Sequence, residues 1–434
     1  MESKPLKLQE TMGSYFPHFL EMYINTEKIV DLNVLDEMEL STFFHEWIHF
    51  IQDLTTSFGC YNAYVYFEKL FSMGKKAMQG GEEISVPITI DNNDNVLTNE
   101  YINRAGWGTT PQSIFTDIVK CENQNVPVPA NLVSIGAPTE IPRFFVKNNR
   151  GETFEFGALQ IMESMAYLCQ CQLFPDTAPN HPVHPYHIAT QVVELYSKEF
   201  ASCQLNVIVL CDMSLMYSVP GVQFTSYLSD IKNGKIALPN APEDVYAYFY
   251  DKNCTDNYIN IEEMTRSHFK RILKDPKAFY NYHKWIDNAY DLAKGLRINE
   301  PYFILNLLRG GELKNNAVFM TLYQDFGTPL IRNNKGEYSK TPGKENQGWD
   351  VEYMQPIRQF GCILTGKTIE CGLWKWCIDS ANELLGKGDS DDIICKVDER
   401  CKTNPSLRSI DKVKCPMGFV WYATGLPLVK NDIR

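Results

Sequence analysis

From Leu40 to Leu54 the apolar residues recur at helical spacing. Leu40, Phe43, Phe44, Trp47, Ile48, Ile51 and Leu54 form one broad face, and His45, His49 and Gln52 fall off it. Asp36 followed by Glu39 predicts a capping box at the start of this helix, and Gly59 predicts its stop. Upstream, residues 15–35 alternate apolar and polar character and predict an early strand leading into the helix. Residues 61–79 predict a second helix through Tyr64, Phe67, Leu70 and Phe71. Residues 80–140 carry clusters of Gly, Asn, Asp and Pro and read as a loop-rich insertion, with short strands around Ile84 to Ile90.

The pattern then becomes regular again. Arg143–Lys147 and Thr153–Phe156 flank Asn148-Asn149-Arg150-Gly151, a hairpin signal. Gly157 opens an apolar helix from Ala158 to Leu173. Pro175, Pro179, Pro182 and Pro185 make the next stretch irregular. Helices are predicted from Tyr186 to Phe200, over the buried run Leu205–Tyr217, and through 261–310. The polar, breaker-rich run 332–348 predicts a boundary or a long surface loop. The expectation is an α+β fold, predominantly helical, with a small sheet and hairpin. It divides into residues 1–340 and a cysteine-richer region, 350–434, packing on them.

Composition narrows the class. The 434 residues are 44% apolar and 22% charged, as in a water-exposed globular protein. A net charge of −12 argues against a general binder of nucleic acid or anionic membrane. The first residues lack the apolar core of a signal peptide, and the run Leu205–Tyr217, interrupted by Asn206, Asp212 and Ser214, is too short to span a bilayer. A cytoplasmic location is therefore expected. The 13 cysteines, an odd number scattered over the chain, are expected to be free thiols packing as small apolar residues.

Candidate chemistry sits on the first helix. His45-Glu46-Trp47-Ile48-His49 is an H-E-x-x-H sequence. Positions i and i+4 share a helix face, so both imidazoles can reach one metal ion, and the glutamate between them can act as general base toward a water on that ion. The ion expected from this donor set is one catalytic zinc. A metzincin would carry glycine at position 52 and a ligand at 55, where Gln52 and Thr55 stand. An aspzincin would carry G-T-x-x-D, but Gly108-Thr109 is followed by Gln112. A glutamate on a later helix is the remaining common solution. Glu163 fits, because it lies among apolar residues of the Ala158–Leu173 helix, where an unpaired carboxylate would be costly. Asp53 and Gln52 are candidates to ligate or to orient an imidazole, and Asp212 is a candidate for the same outer role or for a salt bridge.

These residues resemble the gluzincin-type zinc metallopeptidases, the thermolysin-like branch of the zincins. The resemblance is carried by His45-Glu46-Trp47-Ile48-His49 and the Glu163 helix. It implies His45, His49 and Glu163 as metal ligands, Glu46 as catalytic base, and hydrolysis of a protein or peptide substrate. Among His181, His184 and His187, which alternate with Pro182 and Pro185, one histidine could polarise a substrate carbonyl, as could Tyr186 or Tyr167; His187 with Tyr186 is the pair singled out. The alternative is a catalytically inactive zincin-like protein with a binding or regulatory role. A second, structural zinc on thiolates such as Cys371, Cys377, Cys401 and Cys415 is the lesser expectation, since none of the spacings is C-x2-C.

Overall fold

The computed structural model describes residues 12–90, 95–132, 138–250, 254–277, 279–339, 354–367, 370–378, 397–411 and 415–429. The fold is α+β and mostly helical, with three small sheets among the described residues. The first sheet has the order β1-β2-β7-β8, formed by β1 (Gly13–Phe16), β2 (Glu21–Ile24), β7 (Leu330–Arg332) and β8 (Tyr338–Ser339). β1 and β2 are antiparallel, and β2 pairs parallel with β7, Glu21 opposite Leu330. The early strand is thus two short strands with a turn between them, because Pro17 and the residues after it leave the extended region.

Helix α1 (Glu37–Thr55) starts as its sequence predicts, with the Asp36 side chain accepting from Glu39 N–H and Glu39 returning to the cap backbone. Its end differs. Thr56 closes α1 and caps α2 (Ser57–Gln79), accepting from Gly59 N–H. Gly59 lies in the first turn of α2, where an added Cβ would come 2.5 Å from the Cα of Asp53. It permits a tight joint between two helices and stops neither. α1 is also buried on every side from Leu40 to Thr55, so the side that carries His45 and His49 is covered as well as its core side.

The loop-rich reading of 80–140 needs correction. That stretch holds α3 (Asn95–Trp107) and β4 (Ile118–Pro127), while the expected strands near 84–90 reduce to β3 (Glu83–Ile84). β4 pairs antiparallel with β5 (Glu140–Asn148), which turns at Gly151 into β6 (Thr153–Glu155), the expected hairpin. Long-range pairing made a strand of a polar sequence whose local signals are those of a loop.

Helix α4 (Ala158–Leu173) forms over its expected residues, capped at Gly157. The expected helix 186–200 is three pieces: α5 (Val183–Tyr186), α6 (Ile188–Tyr196) and α7 (Lys198–Ala201). α8 (Gln204–Ser214) is buried from Asn206 onward. The helices α9 (Pro220–Lys232), α10 (Pro242–Tyr250), α11 (Cys254–Ile272), α12 (Tyr280–Asn299), α13 (Phe303–Arg309) and α14 (Ala317–Phe326) follow, then α15 (Met354–Leu364). β3 pairs with β9 (Leu428–Val429), and one hydrophobic core runs from Leu20 to Val429. Most of the boundary expected at 332–348 lies outside the described residues. None of the described helices is long and apolar enough to cross a membrane.

Candidate metal centre

Two glutamines tie α1 to α4. Gln52 Nε2 donates to the Met162 carbonyl at 3.1 Å, and Gln170 Nε2 donates to Ser41 Oγ at 2.8 Å. The late part of α1 therefore meets the early part of α4, and the reverse, which sets the helices antiparallel with His45 and His49 facing Glu163. The two His Nε2 atoms are 3.2 Å apart. Glu163 Oε2 lies 3.3 Å from His45 Nε2 and 3.6 Å from His49 Nε2. Among the described residues, this is the group of three or more His, Cys, Asp or Glu whose donor atoms all lie within 4.8 Å.

The same glutamines fix the rings. His49 Nδ1 is 2.8 Å from Gln52 Oε1, and His45 Nδ1 is 3.2 Å from Gln170 Oε1. The Met162 carbonyl can only accept, so the NH2 of Gln52 must face it and its oxygen must face His49. His49 Nδ1 then carries a hydrogen, and in the neutral ring Nε2 presents a lone pair toward His45 Nε2 and Glu163. Three acceptors converge at 3.2–3.6 Å, an arrangement that could hold a cation. Tetrahedral zinc, with bonds of about 2.0–2.2 Å to nitrogen or oxygen, places its donors about 3.3 Å apart. The donor set and its spacing fit that ion.

Without the cation, a proton takes its part. Burial works to lower the His49 imidazole, but the charge and hydrogen bond of Glu163, with Glu46 behind, raise it to about 9. Burial works to raise Glu163, and the two histidines overcome it and hold the carboxyl below its usual range. Glu163 keeps 24% of its side chain exposed against 8% for each histidine, so the cluster opens on its side.

Glu46 is buried and lies under β1, where a Cβ on Gly13 would come 2.8 Å from its Oε1. Glycine is what leaves room for that carboxylate. Burial raises the Glu46 carboxyl, against the pull of His45 and His49. Tyr15, also on β1, stacks on His49 at 6.4 Å between ring centroids. Asp53 does not orient an imidazole. It faces Tyr15, and burial pushes its carboxyl up to about 7. Gln52 and Gln170 take the orienting role instead.

Tyr186 and His187 part company. Ser164 Oγ donates to the Pro185 carbonyl and accepts from Ala189 N–H, which seats the start of α6 on α4. That brings the Tyr186 ring to 5.9 Å from His45, and the hydroxyl is raised by burial and by the charges of Glu163 and Glu46. His187 packs on Tyr167 at 4.8 Å. The histidine nearer the centre is His181, stacked on Tyr186 at 4.0 Å and 6.4 Å from the His45 ring. His184 approaches Gln160 and Phe154.

Two other expectations resolve structurally. Asp212 pairs with Arg297 at 2.7 Å, both side chains 1% exposed. In the cysteine-richer region, Cys371, Cys377 and Cys401 pack with Leu373 in an apolar cluster of their own, and Cys415 joins the main core. Every cysteine among the described residues is a free thiol. Cys395 lies outside the described residues. The chain matches no family model, and no curated protein and no solved structure aligns with it significantly.

Proposed function

We propose that the chain is a zinc-dependent metallopeptidase of the gluzincin kind, with His45, His49 and Glu163 as zinc ligands. The observation that carries this reading is the convergence of three acceptors with two glutamine-fixed imidazoles, next to a buried glutamate. Zinc, when bound, would supply a Lewis acid that activates a water and polarises a carbonyl. Glu46 would take the proton from that water at its carboxylate and return it to the leaving amine, and the upward pull of burial suits it to hold a proton in between. The Tyr186 hydroxyl, kept protonated, would donate to the oxygen of the scissile carbonyl. A peptide substrate is favoured by β1, the terminal strand of its sheet, which runs over Glu46 and offers an edge to an extended chain.

The test is Glu46→Gln. The variant is expected to keep the zinc content of the wild type while hydrolysis of a quenched-fluorescence peptide library falls by about 10²–10⁴-fold. Turnover at the wild-type rate with zinc retained would remove Glu46 from the mechanism.

A further inference from the structure

A cavity lies beyond the β1–β2 turn, with a volume of about 360 Å³. Its walls are built from that turn, α2, α3 and α15. His18 and Leu20 are the two non-glycine residues with positive φ among the described residues, at 71° and 50°. Side chains other than glycine adopt that region at a cost, and such strain is commonly kept where a residue serves a site. Here it holds the His18 ring flat against Tyr66, with centroids 4.8 Å apart and planes within 5°, while Phe19 meets Tyr66 edge-on at 5.2 Å. The result is an aromatic wall. Asn103 Oδ1 is closed off from water with no protein partner, and the Asn62 side chain, which accepts from Asn103 Nδ2 at 2.8 Å, also approaches the His18 ring.

The charge around this wall is unlike that of the whole chain. Lys69, Arg104, Arg358 and Lys367 line the cavity against one carboxylate, Glu100, in a protein of net charge −12. Glu100 is shared by Lys69 at 2.8 Å and by Arg104. Arg358 is held by the buried Glu21 at 2.9 Å and lies over the Phe16 ring. Lys367 has no side-chain partner among the described residues. A cationic rim over an aromatic wall suits a flat ring that carries a negative group.

We propose that this cavity binds a small organic anion, a ring-bearing carboxylate or phosphate monoester. Its anionic group lies among Lys69, Arg104 and Lys367, and its ring lies on the His18–Tyr66 wall. The occupant sits at the far end of β1, the strand that places Gly13 over Glu46 and Tyr15 against His49.

Titration calorimetry on the full chain with phenyl phosphate, benzoate and uncharged benzyl alcohol tests this. A chelator is present throughout, so that anion coordination to a metal cannot contribute. At least one of the two anions is expected to bind saturably below about 10 mM, and benzyl alcohol more weakly. The double variant Arg104→Ala/Lys367→Ala, which alters exposed side chains only, is expected to weaken that binding by about fivefold or more. His18→Asn, which tolerates the same backbone region without the ring, is expected to weaken it as well. No saturable binding of either anion, or binding undiminished in the double variant, would overturn the proposal. Neither result bears on the zinc centre.

Discussion

Two buried polar clusters lie along α1, and they are built on opposite principles. At its C-terminal end, Arg297 makes four hydrogen bonds, two to Asp212 and two to Thr55, and Tyr246 donates to the same carboxylate. Donors meet acceptors and the charges cancel. Two to three turns back, His45, His49 and Glu163 turn lone pairs toward one another, and Gln52 and Gln170 occupy the ring nitrogens that could have satisfied them. The first cluster is complete within the chain and joins α1 to α8 and α12. The second brings three acceptors together, and a proton on His49 or a metal ion could join them. That difference separates a structural ion pair from a candidate binding site even though both are buried, charged and held by hydrogen bonds.

The largest expected effect breaks the first cluster. Arg297→Ala leaves Asp212 buried without its countercharge and should cost about 3–5 kcal/mol of stability, read by denaturant unfolding. The zinc content of the fraction that remains folded should be that of the wild type. Loss of zinc in step with Arg297 would show that the two clusters are one unit.

A smaller effect sharpens the second. Gln52→Leu removes both the tether to Met162 and the acceptor that fixes His49, so zinc affinity should fall by about 10–100-fold in a chelator competition. Unchanged affinity would mean that the tautomer of His49 is set some other way.

The mildest probe is pH. In the metal-free protein His49 is raised to about 9, so below that pH a proton competes with zinc for Nε2. Apparent affinity should rise about tenfold per pH unit over about pH 7–8 and level off near 9. Glu163, held low, stays ionised throughout and adds no slope. A flat profile would remove the His49–Glu163 pairing from the account.

How much of this was legible in the chain depends on how local each signal is. H-E-x-x-H could be read because one helical turn brings its two histidines together, and Glu163 because a carboxylate in an apolar helix needs a partner. Gln52 lay one turn from His49, and its orienting role was among the alternatives. Gln170 lay two turns beyond Glu163 and gave no sign, since its contact with His45 spans 125 residues. The Asp212–Arg297 pair had the same difficulty, its members standing 85 positions apart. Nothing in the sequence distinguished His187 from His181. The breaks around Pro182 and Pro185 then decided which ring turned toward His45. α3 and β4 were missed because packing and strand pairing, rather than composition, settled their conformation.

The central claim is that His45, His49 and Glu163 hold zinc, and metal content tests it most directly. Elemental analysis of the purified protein beside His49→Ala and Glu163→Ala should find about one zinc per chain in the wild type and a loss in both variants. Wild-type protein that contains no zinc and takes none up on addition would contradict the account, and so would zinc retained in full by either variant.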